Sequence, residues 1–318
     1  MQGNLKKLVH VVSFSGGRTS AFLVWLMERA RKEFGWDVRY IFADTGGEHP
    51  QTYVFLRNIV KFWGINLVVL RAKVNPTLNC GNGYEVFQPS DLMTPAMEPF
   101  EPLTSMMVKY GTMTALGPYC SERMKKDVIE HYCNDTIGRG NYVSWLGIRS
   151  DEPDRLKPKP GIKYLADLLH VEKPDILQWW KHQEFDLDLS EESGNCLFCV
   201  KKSALKIALA VKRNPGFYRQ WLYHINDKRV RQKENFDKTV MYRGYLSLEG
   251  IATMYEDFSE AEILNKMRSA KHFDSGSCTE SCEAFKFDSE IDFDVVNSEV
   301  YQQFEHELQL GQFEMDIF

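Results

Sequence analysis

Short apolar runs alternate with amphipathic stretches through the first half of the chain. Apolar residues at 8–14, 37–43 and 65–70 predict three buried strands. The stretch 19–26 predicts the start of a helix between the first two strands. Pro50 suits the first turn of another helix, which runs to about residue 62. Strands and helices that alternate at this spacing predict a parallel sheet with helices on both faces.

The periodic pattern is interrupted between residues 72 and 117, where prolines, glycines and methionines are scattered. An irregular stretch of this length is typical of a functional loop, and we expect a lid over a ligand or a surface for a partner. Regular patterns then return. They predict a strand at 141–148 and helices at 120–131, 201–213, 248–254 and 259–267.

The turn between the first strand and the first helix consists of small and polar residues. Its candidate ligand-binding positions are Ser13, Ser15, Gly16, Gly17, Arg18, Thr19 and Ser20. Glycine backbone N–H groups can approach an oxyanion, and a helix N-terminus adds partial positive charge. Hydroxyl and guanidinium groups add further donors. The turn predicts an anion site, with a tight turn without a ligand as the alternative. It is not a Walker A loop, because it lacks Gly-x-x-x-x-Gly-Lys-Ser/Thr.

Two further loops follow predicted strands, and in parallel sheets ligands bind at the carboxyl ends of strands. The loop at 44–46 begins with Asp44, which suits a metal or a ribose hydroxyl; an ordinary Asx-type turn is the alternative. The loop at 147–155 contains Arg149 and Arg155, whose guanidinium groups suit phosphate or sulfate oxygens. A solvated charged loop is the alternative there.

The chain has seven cysteines, which we expect to be thiols or metal ligands rather than disulfides. Cys196 and Cys199 form a Cys-x-x-Cys pair on a loop that contains glycine. Two thiolates at this spacing can bind one metal ion or one corner of a cluster. A redox dithiol or unmetallated cysteines are the alternative.

Four segments, in order, resemble the motifs of the phosphoadenosine phosphosulfate (PAPS) reductase family, which is related to the PP-loop ATP pyrophosphatases. They are the loop at 15–20, Asp44-Thr45-Gly46, the segment 147–155 and the Cys-x-x-Cys pair, which together span residues 8–202. The resemblance implies an α/β fold of the adenine nucleotide alpha hydrolase-like type, with a parallel twisted sheet flanked by helices. It implies a nucleotide-binding domain at 1–200 and an α-helical C-terminal extension at 201–318.

The chain departs from the family pattern at three positions. Thr19 stands where the family usually has an aspartate, so that a magnesium ligand is missing or supplied elsewhere. Pro153 replaces a serine, and Tyr119 precedes Cys120 where the iron–sulfur branch has a cysteine pair.

The resemblance also carries functional expectations. Family reductases release sulfite from PAPS with a cysteine near the C-terminus, and residues 312–318 contain none. We therefore expect ATP-pyrophosphatase-type activation of a substrate for sulfur transfer. The alternatives are a sulfonucleotide reductase, with Cys278 or Cys282 as the attacking thiolate, and a non-catalytic nucleotide-binding or nucleic-acid-binding regulator. The expected ligand is ATP or PAPS, and candidate partners are a nucleic-acid substrate, a sulfur-donor protein and a second copy of the chain.

The resemblance implies roles for single residues. Arg18 and the glycine amides would hold phosphates, and Arg149 and Arg155 would stabilise charge on the leaving pyrophosphate. Asp44 would bind magnesium or ribose. The implied nucleotide contacts are Ser13, Ser15, Gly16, Gly17, Arg18, Thr19, Ser20, Asp44, Thr45, Gly46 and Gly147. The favoured ligands of a [4Fe–4S] cluster are Cys120, Cys196, Cys199 and one of Cys278 or Cys282; a three-cysteine cluster with an open iron and a structural zinc are alternatives.

The composition of the chain bears on its partners and its location in the cell. The net charge of −5 does not predict nucleic-acid binding by the chain as a whole. No apolar run approaches the roughly 20 residues of a membrane helix, so we expect a cytoplasmic protein without membrane contact. Aromatic and basic residues intermingle at 217–233, which suits nucleic acid, but inward packing of an amphipathic helix is favoured. From Asp288 onward there are nine Asp or Glu residues and no Lys or Arg, which predicts an end that is solvated or binds a partner.

Overall fold

The computed structural model describes residues 8–194, 196–232, 234 and 236–269, so Cys278, Cys282 and the acidic end lie outside the described residues. Six strands form one sheet: β1 (Val9–Ser13), β2 (Val38–Asp44), β3 (Leu67–Lys73), β4 (Gly83–Phe87), β5 (Tyr142–Leu146) and β6 (Ile162–Tyr164). Their order is β4-β3-β2-β1-β5-β6, and of these six only β4 runs antiparallel to its neighbour.

Helices cover both faces of the sheet, which confirms the predicted α/β class. They are α1 (Arg18–Phe34), α2 (Pro50–Trp63), α3 (Leu103–Tyr110), α4 (Asp127–Thr136), α5 (Lys173–Trp180), α6 (Ala204–Arg213), α7 (Pro215–Ile225), α8 (Leu248–Met254) and α9 (Glu260–Ser269). A small antiparallel pair, β7 (Val240–Tyr242) and β8 (Leu246–Ser247), lies between α7 and α8. None of the helices in the described ranges has both the length and the apolar character needed to span a bilayer.

The sheet carries a hydrophobic core on each face. One core joins α1, α2 and α5 through large aromatic side chains; Trp180 is 1% exposed and packs on Phe55, with ring centroids 5.1 Å apart. The other core includes Ile41, Met124 and Trp221, so the helices after residue 203 pack on the same sheet as the N-terminal elements. Burying each of these side chains contributes on the order of 2 kcal/mol.

The chain reverses its direction of travel across the sheet beside β1. It proceeds from β1 to β2 and β3 on one side and later returns to β5 and β6 on the other. Parallel sheets bind ligands at such a switch point, outside the carboxyl ends of the strands. The segment after β1 and the segment after β5 meet there, which positions the candidate site.

Two parts of the fold differ from expectation. The stretch 72–117 contains β4 and α3, so the prediction of an irregular loop was wrong for those elements. The helix predicted at 120–131 begins as a π-helical segment, Cys120–Lys126, before α4 continues. Such wide turns occur often at functional sites.

Candidate functional site

The first turn of α1 is open to an anion. Its N-cap, Gly17, makes no side-chain capping hydrogen bond, and the turn contains no acidic residue. By contrast, α2, α6 and α8 are each capped by a side chain: His49, Ser203 and Ser247 accept backbone N–H groups. The N–H groups at the start of a helix need an acceptor and carry partial positive charge. Helices α3 and α7 also lack a side-chain cap, but α1 is the one that begins directly after the carboxyl end of β1, where parallel sheets bind ligands.

The two glycines of this turn have different surroundings. Gly16 has a φ of +79°, and a Cβ there would lie 2.6 Å from Thr52 Cγ2. Gly17 instead faces open space, because the nearest atom to a Cβ there would be Ser15 Oγ at 3.9 Å. The first glycine fits the turn against α2, and the second leaves room for a ligand above the helix.

Hydroxyl groups and a close backbone approach fix the turn. Ser20 Oγ donates to the Gly17 carbonyl at 2.9 Å and lies 2.9 Å from Ser15 Oγ. Gly147, after β5, comes so near that a Cβ would lie 2.8 Å from Ser20 Cα. Ser13 ends β1 directly before the turn. The β1 and β5 ends and the first turn of α1 therefore form one compact unit.

Arg149 reaches this unit from the loop after β5. The residue is 3% exposed, and one of its terminal nitrogens donates to Thr19 Oγ1 at 3.2 Å. Asp151 accepts from Arg149 Nε at 2.8 Å, and Arg155 pairs with Glu152 at 2.6 Å. The structure thus brings Arg149 to the first turn of α1, and carboxylates that the sequence did not indicate hold both arginines.

The side chain of Arg18 is occupied elsewhere. Its guanidinium pairs with Asp186 at 2.7 Å and with Glu191 at 2.6 Å, and it also donates to backbone carbonyls of the segment 186–191. Burial lowers the pKa of Arg18, but the two carboxylates outweigh it and the pKa is raised. In this arrangement Arg18 ties the segment 186–191 to the start of α1, a role that the sequence did not indicate.

Asp44 is fully buried and fully engaged. Arg71 donates to Asp44 Oδ2 at 2.7 Å, while the Tyr53 hydroxyl (2.8 Å) and the Gly46 N–H (3.0 Å) donate to Oδ1. The Gly46 contact is the Asx-type turn that the sequence left open. Gly46 itself has a φ of +79° and no space for a Cβ, which would lie 2.3 Å from the Glu101 carbonyl oxygen.

The Cys-x-x-Cys pair lies directly beside the loop after β2. Cys196 Sγ is 3.2 Å from Thr45 Oγ1 and 3.5 Å from Glu48 Oε1, and it would lie 3.3 Å from a Cβ on Gly47. Cys120, in the π-helical segment, lies within electrostatic range of Cys199. The Cys-x-x-Cys pair is therefore next to the loop after β2, and Cys120 approaches it from a distant part of the chain.

Burial raises the pKa of two of these thiols, those of Cys196 and Cys120. Burial, followed by the charge on Glu48, raises the pKa of Cys196 well above its usual range. Burial and the neighbouring Cys199 raise the pKa of Cys120 to about 11. Lys125 lies 3.4 Å from Glu48 Oε1, and Glu48 Oε2 is buried without a hydrogen-bond partner among the described residues. Sequence reasoning missed Glu48, although it follows the Asp-Thr-Gly motif by only two positions.

The described part of the chain does not form a metal site by itself. No group of three or more His, Cys, Asp or Glu side chains within it could hold a metal ion. The fourth expected cluster ligand, Cys282, lies outside the described residues.

Two aromatic residues of α7, Phe217 and Trp221, pack inward. Trp221 is 2% exposed, and Phe217 lies 5.0 Å from Phe100 between ring centroids. The inward-packing alternative is confirmed for these two residues. Tyr223, at 73% exposed, is left facing solvent.

Two comparisons with known proteins bear on the family of the chain. The family model for the phosphoadenosine phosphosulfate reductase domain matches residues 9–88, which include the loops after β1 and β2. The chain is also similar to the "Uncharacterized nin region protein ORF290" of Escherichia phage lambda. The two are 51% identical over 288 residues, which cover 90% of this chain and 98% of the phage protein.

Proposed function

The chain belongs to the PAPS reductase-like family of the PP-loop superfamily, and on this premise we propose that it activates an acceptor substrate with ATP for sulfur transfer. The observation that carries the proposal is the uncapped first turn of α1, with open space above Gly17 and thiols beside the neighbouring loop. An anion site next to thiols suits an enzyme that joins phosphate chemistry to sulfur chemistry.

The proposed reaction has two steps. An acceptor oxygen attacks the α-phosphorus of ATP, so that an O–P bond forms and pyrophosphate leaves. A hydrosulfide ion then forms a bond to the activated carbon or phosphorus, and AMP leaves with the oxygen. Where the sulfur is supplied instead as a cysteine persulfide, its outer sulfur forms that bond, and the thiolate of the other cysteine of the pair then breaks the S–S bond. This releases the thiolated product and leaves a Cys196–Cys199 disulfide, which an external thiol reduces. Candidate acceptors include a base or the backbone of a nucleic acid.

We assign the chain's own groups to these steps as follows. The backbone N–H groups at Gly17 and in the first turn of α1 would bind the phosphates. Arg149, already beside Thr19, would stabilise charge that develops on the leaving pyrophosphate. Cys196 and Cys199 would bind the sulfur and transfer it to the acceptor, since the pair lies next to the loop at 44–48.

The iron–sulfur cluster is a separate proposal. Cys120, Cys196 and Cys199 would supply three ligands and Cys282 the fourth, with zinc as the alternative metal. Because the described residues alone do not form a metal site, no step above is routed through one. Anaerobic purification with a visible spectrum and assays for iron, sulfide and zinc tests this proposal independently of nucleotide binding.

A pair of glycine variants tests the proposed function. Gly17→Asp places a good helix N-cap where the phosphate would bind, so the fold should keep its melting temperature while ATP binding is lost. Gly216→Asp, in the first turn of α7 with open space around it, is the matched control and should retain ATP binding.

Product analysis then separates the candidate activities. Release of pyrophosphate and AMP from ATP supports the proposal. Release of sulfite from PAPS with a thiol reductant would assign a reductase instead. Tight binding of ATP without turnover would indicate a regulator. If neither nucleotide binds, or if Gly17→Asp binds ATP as the native chain does, the proposal is wrong.

A further inference from the structure

A cavity of about 680 Å³ opens beside the π-helical segment, within the size range of small-molecule sites. Its walls come from the segment 78–82, the end of α3 and the segment 117–127. Residues that line it include Cys80, Tyr110, Tyr119, Arg123, Asp127 and Arg231. The residues to which we assign the steps of the proposed reaction do not line this cavity.

Two arginines of this cavity lack carboxylate partners. Arg123 and Arg231 form no ion pair with any residue that the structure describes. Arg18, Arg71 and Arg149, by contrast, are each paired with an aspartate at 2.7–2.8 Å. A guanidinium that forms no close ion pair offers several N–H donors in a plane, which matches the oxygens of a phosphate group.

The same cavity offers flat surfaces. The guanidinium of Arg123 lies 4.2 Å from the centre of the Tyr110 ring, and the rings of Tyr110 and Tyr119 are 5.6 Å apart. Aromatic rings and arginine planes are the surfaces on which unpaired bases stack. The carboxylates of Glu122 and Asp127 at the wall can accept hydrogen bonds from the amino groups of a base.

We propose that this cavity binds one unstacked base of a single-stranded nucleic acid, with an adjacent phosphate on Arg123 and Arg231. Tyr119, in the wall, directly precedes Cys120, so the bound nucleotide would lie beside the candidate sulfur site. The role of the cavity as the acceptor site rests on the proposed function. The binding of nucleic acid in the cavity does not depend on that function.

Cys80 provides a direct probe, because its thiol is exposed and lines the cavity. A short single-stranded oligonucleotide should slow alkylation of Cys80 by iodoacetamide severalfold, as measured by mass spectrometry of the peptide that contains Cys80. DNA and RNA oligomers are compared in parallel, because they share the base and the phosphate and differ at the 2′ position. A base-paired duplex of the same sequence should protect less, since its bases are not free to stack on protein.

Variants of the two arginines should weaken binding. Arg231→Ala and Arg123→Ala should each lower oligonucleotide affinity roughly fivefold to tenfold and reduce the salt dependence by about one phosphate contact. Arg229→Ala is the matched control, because Arg229 is an exposed arginine of the same segment that is paired with Asp227 at 2.7 Å. Melting temperatures identify any variant that fails to fold, and Arg231 is exposed enough that its replacement should not affect folding.

The outcomes are distinct. Cys80 protection together with loss of affinity in Arg231→Ala, but not in Arg229→Ala, supports the site. Equal affinity in all three arginine variants, protection by inorganic phosphate alone, or no protection by either oligomer overturns it. Gly17→Asp should bind the oligonucleotide normally while it fails to bind ATP, so failure of the nucleotide proposal and failure of this one give different results.

Discussion

The carboxylate of Asp44 and the guanidinium of Arg71 lie 2.7 Å apart in the interior, at paired positions of β2 and β3. Both residues are almost completely withdrawn from water. The Tyr53 hydroxyl also donates to Asp44, so both oxygens of the carboxylate accept hydrogen bonds from the protein. Each charge therefore depends on the other, because a buried ion without its partner is costly.

Replacing one partner should be strongly destabilising. Arg71→Met leaves the Asp44 carboxylate buried without its cation, and we expect a loss of about 3–5 kcal/mol in the free energy of unfolding. Urea denaturation at neutral pH measures this loss. Arg39→Met removes an exposed pair with Asp37 (2.9 Å) and should cost less than about 1 kcal/mol. Similar losses in the two variants would show that the buried pair has no special role.

Long-range pairs of this kind explain what the sequence could and could not predict. The strands and helices of the sheet follow from apolar periodicity, which is a local property of each segment. Asp44 and Arg71 are 27 positions apart, and Arg18 and Asp186 are 168 apart. No local pattern specifies which charged side chains meet over such distances. The ion pairs of Asp44 with Arg71 and of Arg18 with Asp186 were therefore not predicted from the sequence.

The missed elements have physical reasons too. Strand β4 is an edge strand whose residues are all at least partly exposed, and it therefore lacks an apolar run. Helix α3 has no side-chain cap and is held by burial of Met106 and Met107 against the core. The proximity of Cys120 to Cys199 depends on how the π-helical segment packs. The family resemblance predicts that both bind one cluster, and this stays a prediction.

The Arg18 pair offers a second prediction, about which role this arginine has. If it only ties the segment 186–191 to α1, then Arg18→Ala and the double variant Asp186→Asn/Glu191→Gln should increase proteolysis of that segment equally. Both should keep ATP affinity within about twofold, since the backbone N–H groups that bind anions are unchanged. Limited proteolysis and calorimetric titration measure the two effects. A tenfold loss of ATP affinity in Arg18→Ala alone would instead assign it to phosphate binding, as the sequence analysis expected.

The third prediction concerns the pH dependence of Cys196. Because burial and the Glu48 charge raise its pKa, its thiolate fraction at pH 7 is small, and alkylation should rise about tenfold per pH unit to beyond pH 9. Removing the charge with Glu48→Gln lowers the pKa and should speed alkylation at pH 8. Removing the opposing charge with Lys125→Met should slow it.

Peptide mass spectrometry after timed exposure to iodoacetamide follows Cys196 separately from the other cysteines. Lys61→Met, which removes an exposed lysine on α2, should leave the rate unchanged. If Glu48→Gln slows the reaction, Glu48 does not act on Cys196 through its charge, and the electrostatic account of this thiol is wrong.

The last prediction concerns Gly147, where β5 ends against the first turn of α1. A Cβ at this position would lie 2.8 Å from Ser20 Cα and 3.0 Å from Ser20 N, and backbone atoms cannot rotate away as a side chain can. Gly147→Ala should therefore cost about 1–3 kcal/mol in unfolding free energy and displace the turn that carries the N–H donors. Gly216→Ala, with no atom within 4 Å of its Cβ, is the control and should be nearly neutral. We expect ATP affinity to fall in Gly147→Ala at temperatures where the variant is still folded, and to remain unchanged in the control. If affinity is unchanged while stability falls, the contact between β5 and α1 supports the fold without shaping the anion site.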